Sequence, residues 1–232
     1  MTPKLKFSEV SLQELKAVVE LHERDALASD WVEAVDVVLS DGDRQQLEHL
    51  RSRLVNEKLH LLNEATLWAR AIYPLLILAE RDTIRAWSEV PLQARYAKFD
   101  TEGIADGVLG RSVAGRLEAP YLIVAETKRG IENQNPLFQL YTQLLAAARL
   151  NWELDNLEPQ EVFGCYTIAD SWTFVRAEVK GLESDRPTLT VEGSKEYTEK
   201  NDAEIILQIL KGIVSRREHN PSHESINRSR NR

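Results

Sequence analysis

Asp106, Glu126 and Lys128 are the residues of this chain whose types and positions ask for a chemical explanation. Side chains alternate faces along a strand, so Asp106 falls in a row with Ile104 and Val108, and Glu126 and Lys128 in a row with Leu122 and Val124. Each charge interrupts a row that should face a core. An unpaired charge is costly in apolar surroundings, so such residues normally pair, coordinate a metal or sit at an exposed strand end. A third carboxylate, Glu64, shares a helical stripe with Leu61 and Trp68 by i, i+3 and i+4 spacing. Each has a purely structural counterpart: a cross-strand salt bridge at the sheet rim for Asp106 and Glu126-x-Lys128, and a solvated first-turn glutamate favoured by the helix dipole for Glu64.

The elements that must position these residues follow from periodicity. Residues 8 to 61 read as helical: Ser11-Leu-Gln-Glu14 has capping-box spacing, Leu12 to Leu21 continue it, and Leu47, Leu50, Leu54 and Leu61 mark a second amphipathic helix after a turn signal at Ser40 to Asp43. His22, His49 and His60 fall in these helical surface patterns, which argues against a histidine metal site. Asn63 to Ala79 is strongly apolar, with Pro74 expected to kink or split its helix. Three strands follow as a meander: a weak one around Leu92, Ala94 and Tyr96, then Gly103 to Gly110 and Tyr121 to Lys128, with Arg111 to Pro120 as a loop. Beyond a loop at Gly130 to Gln134, Asn135 and Pro136 cap a helix carrying Leu137, Leu140, Tyr141, Leu144, Leu145 and Ala148. Val162 to Ile168 and Trp172 to Val179 read as two more strands, a last helix starts near Asn201, and the segment after Val214 reads as a disordered tail.

Composition narrows the class. The chain has 232 residues, 43% of them hydrophobic, enough for one domain with a full core. One cysteine, Cys165, excludes an internal disulfide, the N-terminus lacks a signal-peptide core, and no apolar run reaches the length of a membrane span. A cytoplasmic protein with no membrane association is expected. The net charge of −8 divides unevenly: six basic residues against two acidic ones from Lys211 onward give a local +4 and leave −12 on the rest. No extended nucleic-acid-binding surface is written into that composition. Phosphate-loop, dinucleotide-fingerprint, His-Glu-x-x-His and Gly-x-Ser-x-Gly motifs are absent, and Ser112 reads as a loop residue.

What remains is an ordered set: a helix with Glu64, strands with Asp106 and Glu126-x-Lys128, a helix with Gln139, then strands. The set resembles the PD-(D/E)XK nuclease superfamily, and within it the bacterial restriction-endonuclease-like proteins and the N-terminal nuclease domain of type I restriction motor subunits. The resemblance rests on Asn63-Glu-Ala-Thr66 with Tyr73-Pro-Leu-Leu76, Gly103-Ile-Ala-Asp106 with Val108-Leu-Gly110, Tyr121-Leu-Ile-Val-Ala-Glu-Thr-Lys128, Gln139-Leu-Tyr141, and Gly164-Cys-Tyr-Thr-Ile168 with Trp172-Thr-Phe174. It spans about residues 62 to 179. Ala105 stands where the family's motif often has proline.

The resemblance implies an α/β fold (α+β by some schemes), a restriction-endonuclease-like mixed sheet flanked by helices. Residues 1–61 would be an N-terminal helical extension, 62–215 the nuclease core and 216–232 a disordered basic tail. It implies a metal-dependent DNA endonuclease using Mg2+, with Mn2+ as a substitute. Asp106 and Glu126 would be metal ligands with the Thr127 carbonyl as a third, and Lys128 would orient the attacking water and offset charge on the phosphate. Glu64 would help hold the metal and Gln139 would support the site from its helix. Gln139 lies roughly opposite the apolar stripe, so Gln143 competes for that role unless the helix is buried on both sides. Double-stranded DNA is the expected partner, with RNA or branched DNA left open, and a homodimer is expected because relatives cut two strands with two sites. The alternative is a catalytically inactive nucleic-acid-binding or protein-interaction scaffold on the same fold.

Overall fold

Ser11 and Ser40 each begin a helix by the same device. Their hydroxyls accept the backbone N–H of Glu14 and Asp43, and those carboxylates accept the serine N–H in return, which satisfies donors that a helix start leaves unpaired. The computed structural model describes residues 2–24, 30–33, 37–128 and 135–216. Its helices are α1 (Leu12–Val18), α2 (Asp30–Glu33), α3 (Asp41–Leu54), α4 (Glu64–Leu67), α5 (Tyr73–Leu78), α6 (Pro136–Asp155) and α7 (Glu199–Arg216). The Ser40 to Asp43 stretch expected as a turn is therefore the N-cap of α3. Pro74 falls in the first turn of α5, where its missing N–H costs nothing, and a widened turn at Trp68–Ile72 joins α4 to α5.

The strands are β1 (Lys4–Lys6), β2 (Glu20–Arg24), β3 (Ile84–Arg95), β4 (Asp100–Val113), β5 (Arg116–Lys128), β6 (Gln160–Ile168), β7 (Ser171–Lys180) and β8 (Thr188–Thr198). They form one mixed eight-stranded sheet with the path β1-β4-β5-β6-β7-β8-β2 and β3 paired to β4. Helices α1 and α6 cover one face, and α2 to α5 with α7 cover the other. The protein is thus a mixed α/β structure with helices on both sides of its sheet. Among the described residues no helix is long and apolar enough to cross a membrane.

Several expectations need correction. The N-terminal 61 residues are not wholly helical: β1 pairs with β4 and β2 with β8, so this segment contributes both of those strands to the sheet, and His22 lies on β2. The expected loop at Arg111 to Pro120 is a tight hairpin turn, with Ala114 and Gly115 both at positive φ (49° and 75°) between strands that continue to Val113 and from Arg116. Strand β8 is not among the expected strands, and α7 has a short turn from Glu199 that meets its main body at a non-helical residue, Asp202 (φ −115°, ψ 18°), next to the expected start near Asn201. Ser215 and Arg216, expected in the disordered tail, are the last residues of α7, and the expected loop at Gly130 to Gln134 and the rest of the tail lie outside the described residues.

The feature that shapes the site is a fork along β4. On one side, β3 follows β4 from Asp100 to Arg111. The other side is shared: β1 pairs with Asp100 to Glu102, β5 pairs from Gly107 onward, and Gly103 to Asp106 lie between them. Helix α6 packs over β3, β4, β5 and β6 and is buried nearly all round, with every residue from Gln139 to Ala148 enclosed. Asn151 near its end pairs with both backbone groups of Tyr121, accepting its N–H at 2.7 Å and donating to its carbonyl at 2.9 Å. That bond replaces ladder pairing where the β4–β5 register shifts.

At the start of α7, Glu199 is 1% exposed; Trp172 Nε1 donates to its Oε2 at 3.4 Å, and Oε1 has no partner. Burial drives its carboxyl well above the usual range, against the Trp172 N–H and with the Asp170 charge. A raised folded-state pKa means that stability is lost as pH rises from the ordinary carboxyl value upward. Glu199→Gln should therefore shift the urea midpoint upward relative to the unmodified chain at pH 8 and much less at pH 4.5. Equal shifts at the two pH values would show that this carboxyl is not held neutral.

Candidate active site

Along the outward row of β4, Ile104 is 59% exposed, Asp106 is half-buried and Val108 is fully buried, so Asp106 stands where the row passes from water to core. The Thr127 N–H donates to Asp106 Oδ2 at 2.7 Å. A carboxylate thus takes the place of a ladder acceptor where β5 parts from β4. Asp106 Oδ1 has no hydrogen-bond partner among the described residues. Across the strand pair, Ser88 and Val90 pair with Gly107 and Ala105, leaving Glu89 opposite Asp106 with a left-handed backbone (φ 52°). That conformation costs a non-glycine residue about 1–2 kcal/mol. Trp68 supports this point from the other face: its Nε1 donates to Ser88 Oγ at 2.8 Å, and its indole fills the space that a Cβ at Gly107 would need.

Glu126 is completely buried. Lys128 Nζ lies 2.9 Å from its Oε1, and Gln143 Nε2 on α6 donates to its Oε2 at 2.7 Å. Burial and then the Asp106 charge push the Glu126 carboxyl up to about 7, against the pull of Lys128 and the Gln143 hydrogen bond. Burial likewise raises Asp106, opposed by the Thr127 N–H and Lys128 and reinforced by Glu64 and Glu89. For Lys128, burial disfavours the ammonium, but the charges of Glu126, Glu64 and Asp106 and the contact with Glu126 outweigh it, and its pKa is raised. Two carboxylates that repel each other in a poorly hydrated place, with one cation between them, are an electrostatically incomplete arrangement.

The five side chains singled out in the sequence are placed as follows. Asp106, Glu126 and Lys128 converge. Glu64, half-buried at the first position of α4 behind its Asn63 cap, lies close enough for its charge to act on Asp106 and Lys128. Gln139 is 9% exposed and lines a groove next to this cluster, whereas the glutamine that contacts Glu126 is Gln143, one turn further along α6. Both glutamines are enclosed because α6 is buried on all sides. Glu89 had no marker in the sequence, since nothing in Ser88-Glu-Val-Pro91 announces a break in the ladder.

Among the described residues, no group of three or more His, Cys, Asp or Glu side chains is disposed to hold a metal ion by itself. A hard divalent cation such as Mg2+ does not require one, because it binds through one or two carboxylates and keeps several waters. The oxygen donors of Asp106 and Glu126, their mutual repulsion and the free Asp106 Oδ1 suit such an ion. Removing the amide that faces Glu126 should cost roughly 1–3 kcal/mol, because it leaves a buried carboxylate oxygen unpaired. Gln143→Leu should therefore lower the unfolding free energy at pH 8 by that amount, and Gln139→Leu, whose amide has no partner among the described residues, by less. Equal losses in denaturant titrations would contradict the assignment of Gln143 to Glu126. The chain matches no family model, and no curated protein matches it closely enough to count as a relative.

Proposed function

We propose that this protein is a divalent-metal-dependent phosphodiester hydrolase of restriction-endonuclease-like type, acting on double-stranded DNA. The observation that carries the reading is the meeting of Asp106, Glu126 and Lys128 at the fork of β4, with Gln143 fixing Glu126 and the Thr127 N–H fixing Asp106. Buried carboxylates beside one retained lysine are a donor set for a hard cation and a phosphate.

Asp106 and Glu126 would hold Mg2+, or Mn2+ in its place, with Glu64 and the Thr127 carbonyl in support. The ion would supply Lewis acidity toward a phosphoryl oxygen and an activated water. The protein's own groups do the rest. Gln143 keeps one oxygen of Glu126 occupied, so the carboxylate presents a fixed edge. The Thr127 N–H does the same for Asp106 by occupying Oδ2. Lys128, whose charged form is favoured by its carboxylate neighbours, would orient the attacking water and stabilise charge accumulating on the phosphate. A homodimer would present two such sites to the two strands of a duplex.

A second reading is an inactive binding scaffold on the same architecture. It is favoured by the contacts that Glu126 already makes within the protein, an ion pair of Oε1 with Lys128 and a hydrogen bond to Oε2 from Gln143. Incubation of plasmid and linear DNA with Mg2+ or Mn2+ separates the two. Asp106→Ala and Lys128→Ala should each lower cleavage at least about a hundredfold. Cleavage that persists unchanged in both variants would sink the hydrolase reading. Calorimetric Mn2+ binding that is lost in Glu126→Ala would count against the scaffold.

A further inference from the structure

Gly103 and Ile104 in the sheet opening line a groove of about 750 Å³ whose walls include Phe7, Pro91 and Leu92, with Lys6, Gln93 and Glu102, the last paired to Lys4 at 2.8 Å, also on its lining. Phe7 forms a tight floor: a Cβ on Gly103 would come within 2.6 Å of its ring. Gln139 also lines this groove, nine-tenths buried, and among the described residues its amide has no hydrogen-bond partner. Its polar atoms are not among the sealed unpaired ones, so the amide is within reach of a molecule in the groove. An amide left open on a groove wall is equipped to read a ligand edge that offers one acceptor and one donor.

The groove's position says whose edge that is. Gln139 stands four residues before Gln143 on α6, about 6 Å along the axis from the side chain that holds Glu126. Ile104 stands two residues before Asp106 on the same strand face, about 6.6 Å away. Both routes place the groove one short step from the acidic pair, the next position along a strand whose phosphate sits at the carboxylates. Its volume falls within the range of small-molecule pockets, and its apolar lining suits the flat face of a base. Lys6 pairs with Glu9 at 3.2 Å, but both side chains are more than half exposed, so the ammonium can exchange that partner for a phosphate.

We infer that this groove is a subsite for the nucleobase flanking the scissile phosphate, with the base lying along Ile104 and its edge read by the Gln139 amide. The inference rests on the hydrolase reading for its substrate, and it names adenine as the preferred base. In a duplex, where the Watson–Crick edges are already paired, adenine is the base whose major-groove edge offers an amide an adjacent acceptor and donor for two hydrogen bonds.

The test has two arms. In the first, the Gln139 side-chain amide resonance, identified by its loss in Gln139→Leu, is followed by NMR during titration with dAMP, dGMP, dCMP and dTMP in Ca2+. The resonance should move on nucleotide addition, and Ile104→Glu, which adds a second negative charge beside Glu102 at the groove, should weaken that response roughly tenfold. In the second arm, a pool of randomised duplexes is cut in Mg2+ and the ends are sequenced. An adenine preference beside the cut should appear, and Gln139→Leu should flatten it while raising KM about tenfold. A resonance that ignores all four nucleotides, or a cut-site preference unchanged in Gln139→Leu, overturns the subsite. The nucleotide titration needs no cleavage, so a chain that binds dAMP at Gln139 yet cuts nothing would keep the subsite and lose the hydrolase.

Discussion

Glu126 brings a carboxylate to the end of an apolar strand, into a position without water, and much of the surrounding structure is arranged around that cost. Each of its oxygens faces a donor: the Lys128 ammonium two residues along the same strand, and the Gln143 amide from the helix above. The amide can reach it only because α6 lies directly on β5, buried on every side. That packing depends on the small and apolar residues that let helix and sheet approach closely. At Gly164 on the neighbouring strand, a Cβ would lie 2.8 Å from the Leu140 side chain. One buried charge thus constrains a strand, a helix and the contact between them.

The second constraint is topological. Sheets usually bury their backbone groups in continuous ladders, but here the side of β4 opposite β3 is given first to β1 and then to β5, with four residues between. Asp106 closes part of that opening with its side chain, and Glu89 across the strand pair adopts a left-handed backbone where a ladder residue would be expected. Strain and an opened ladder concentrated at one place, flanked by carboxylates, match the general tendency of functional sites to hold the unfavourable features of a fold.

Much of the site could be read in the sequence because charge in an apolar strand is a conspicuous signal. Asp106, Glu126 and Lys128 were visible as interruptions of period-2 rows, and the α6 helix was visible from its Asn-Pro start and its apolar repeat. Other parts had weaker or misleading signals. Strand β8 contains Gly193 and several charges, so its alternation of Leu189, Val191 and Tyr197 was diluted. Strand β2 exposes most of its side chains at the sheet edge and carries no apolar row to betray it. Angular position alone ranked Gln139 and Gln143 by distance from the apolar stripe, but a helix enclosed on all sides has no solvent face, and the choice between them was set by which residue lies above Glu126. The backbone at Glu89 depends on its partner strand and is not encoded locally.

The hydrogen bond from the Thr127 N–H to Asp106 has a consequence for how the protein responds to whatever it binds. In the interior of a sheet the acceptor of an amide is another backbone group, fixed by the fold and indifferent to ligands. Here the acceptor is a side chain that is itself a candidate ligand-binding group. Any occupant that draws on the Asp106 carboxylate must compete with, or polarise, a bond that anchors the last residues of β5 to β4. Thr127 lies between Glu126 and Lys128 and pairs in register with Thr167 on β6. A ligand bound at Asp106 would therefore act on the sheet through one amide proton, at the edge where β5 leaves β4.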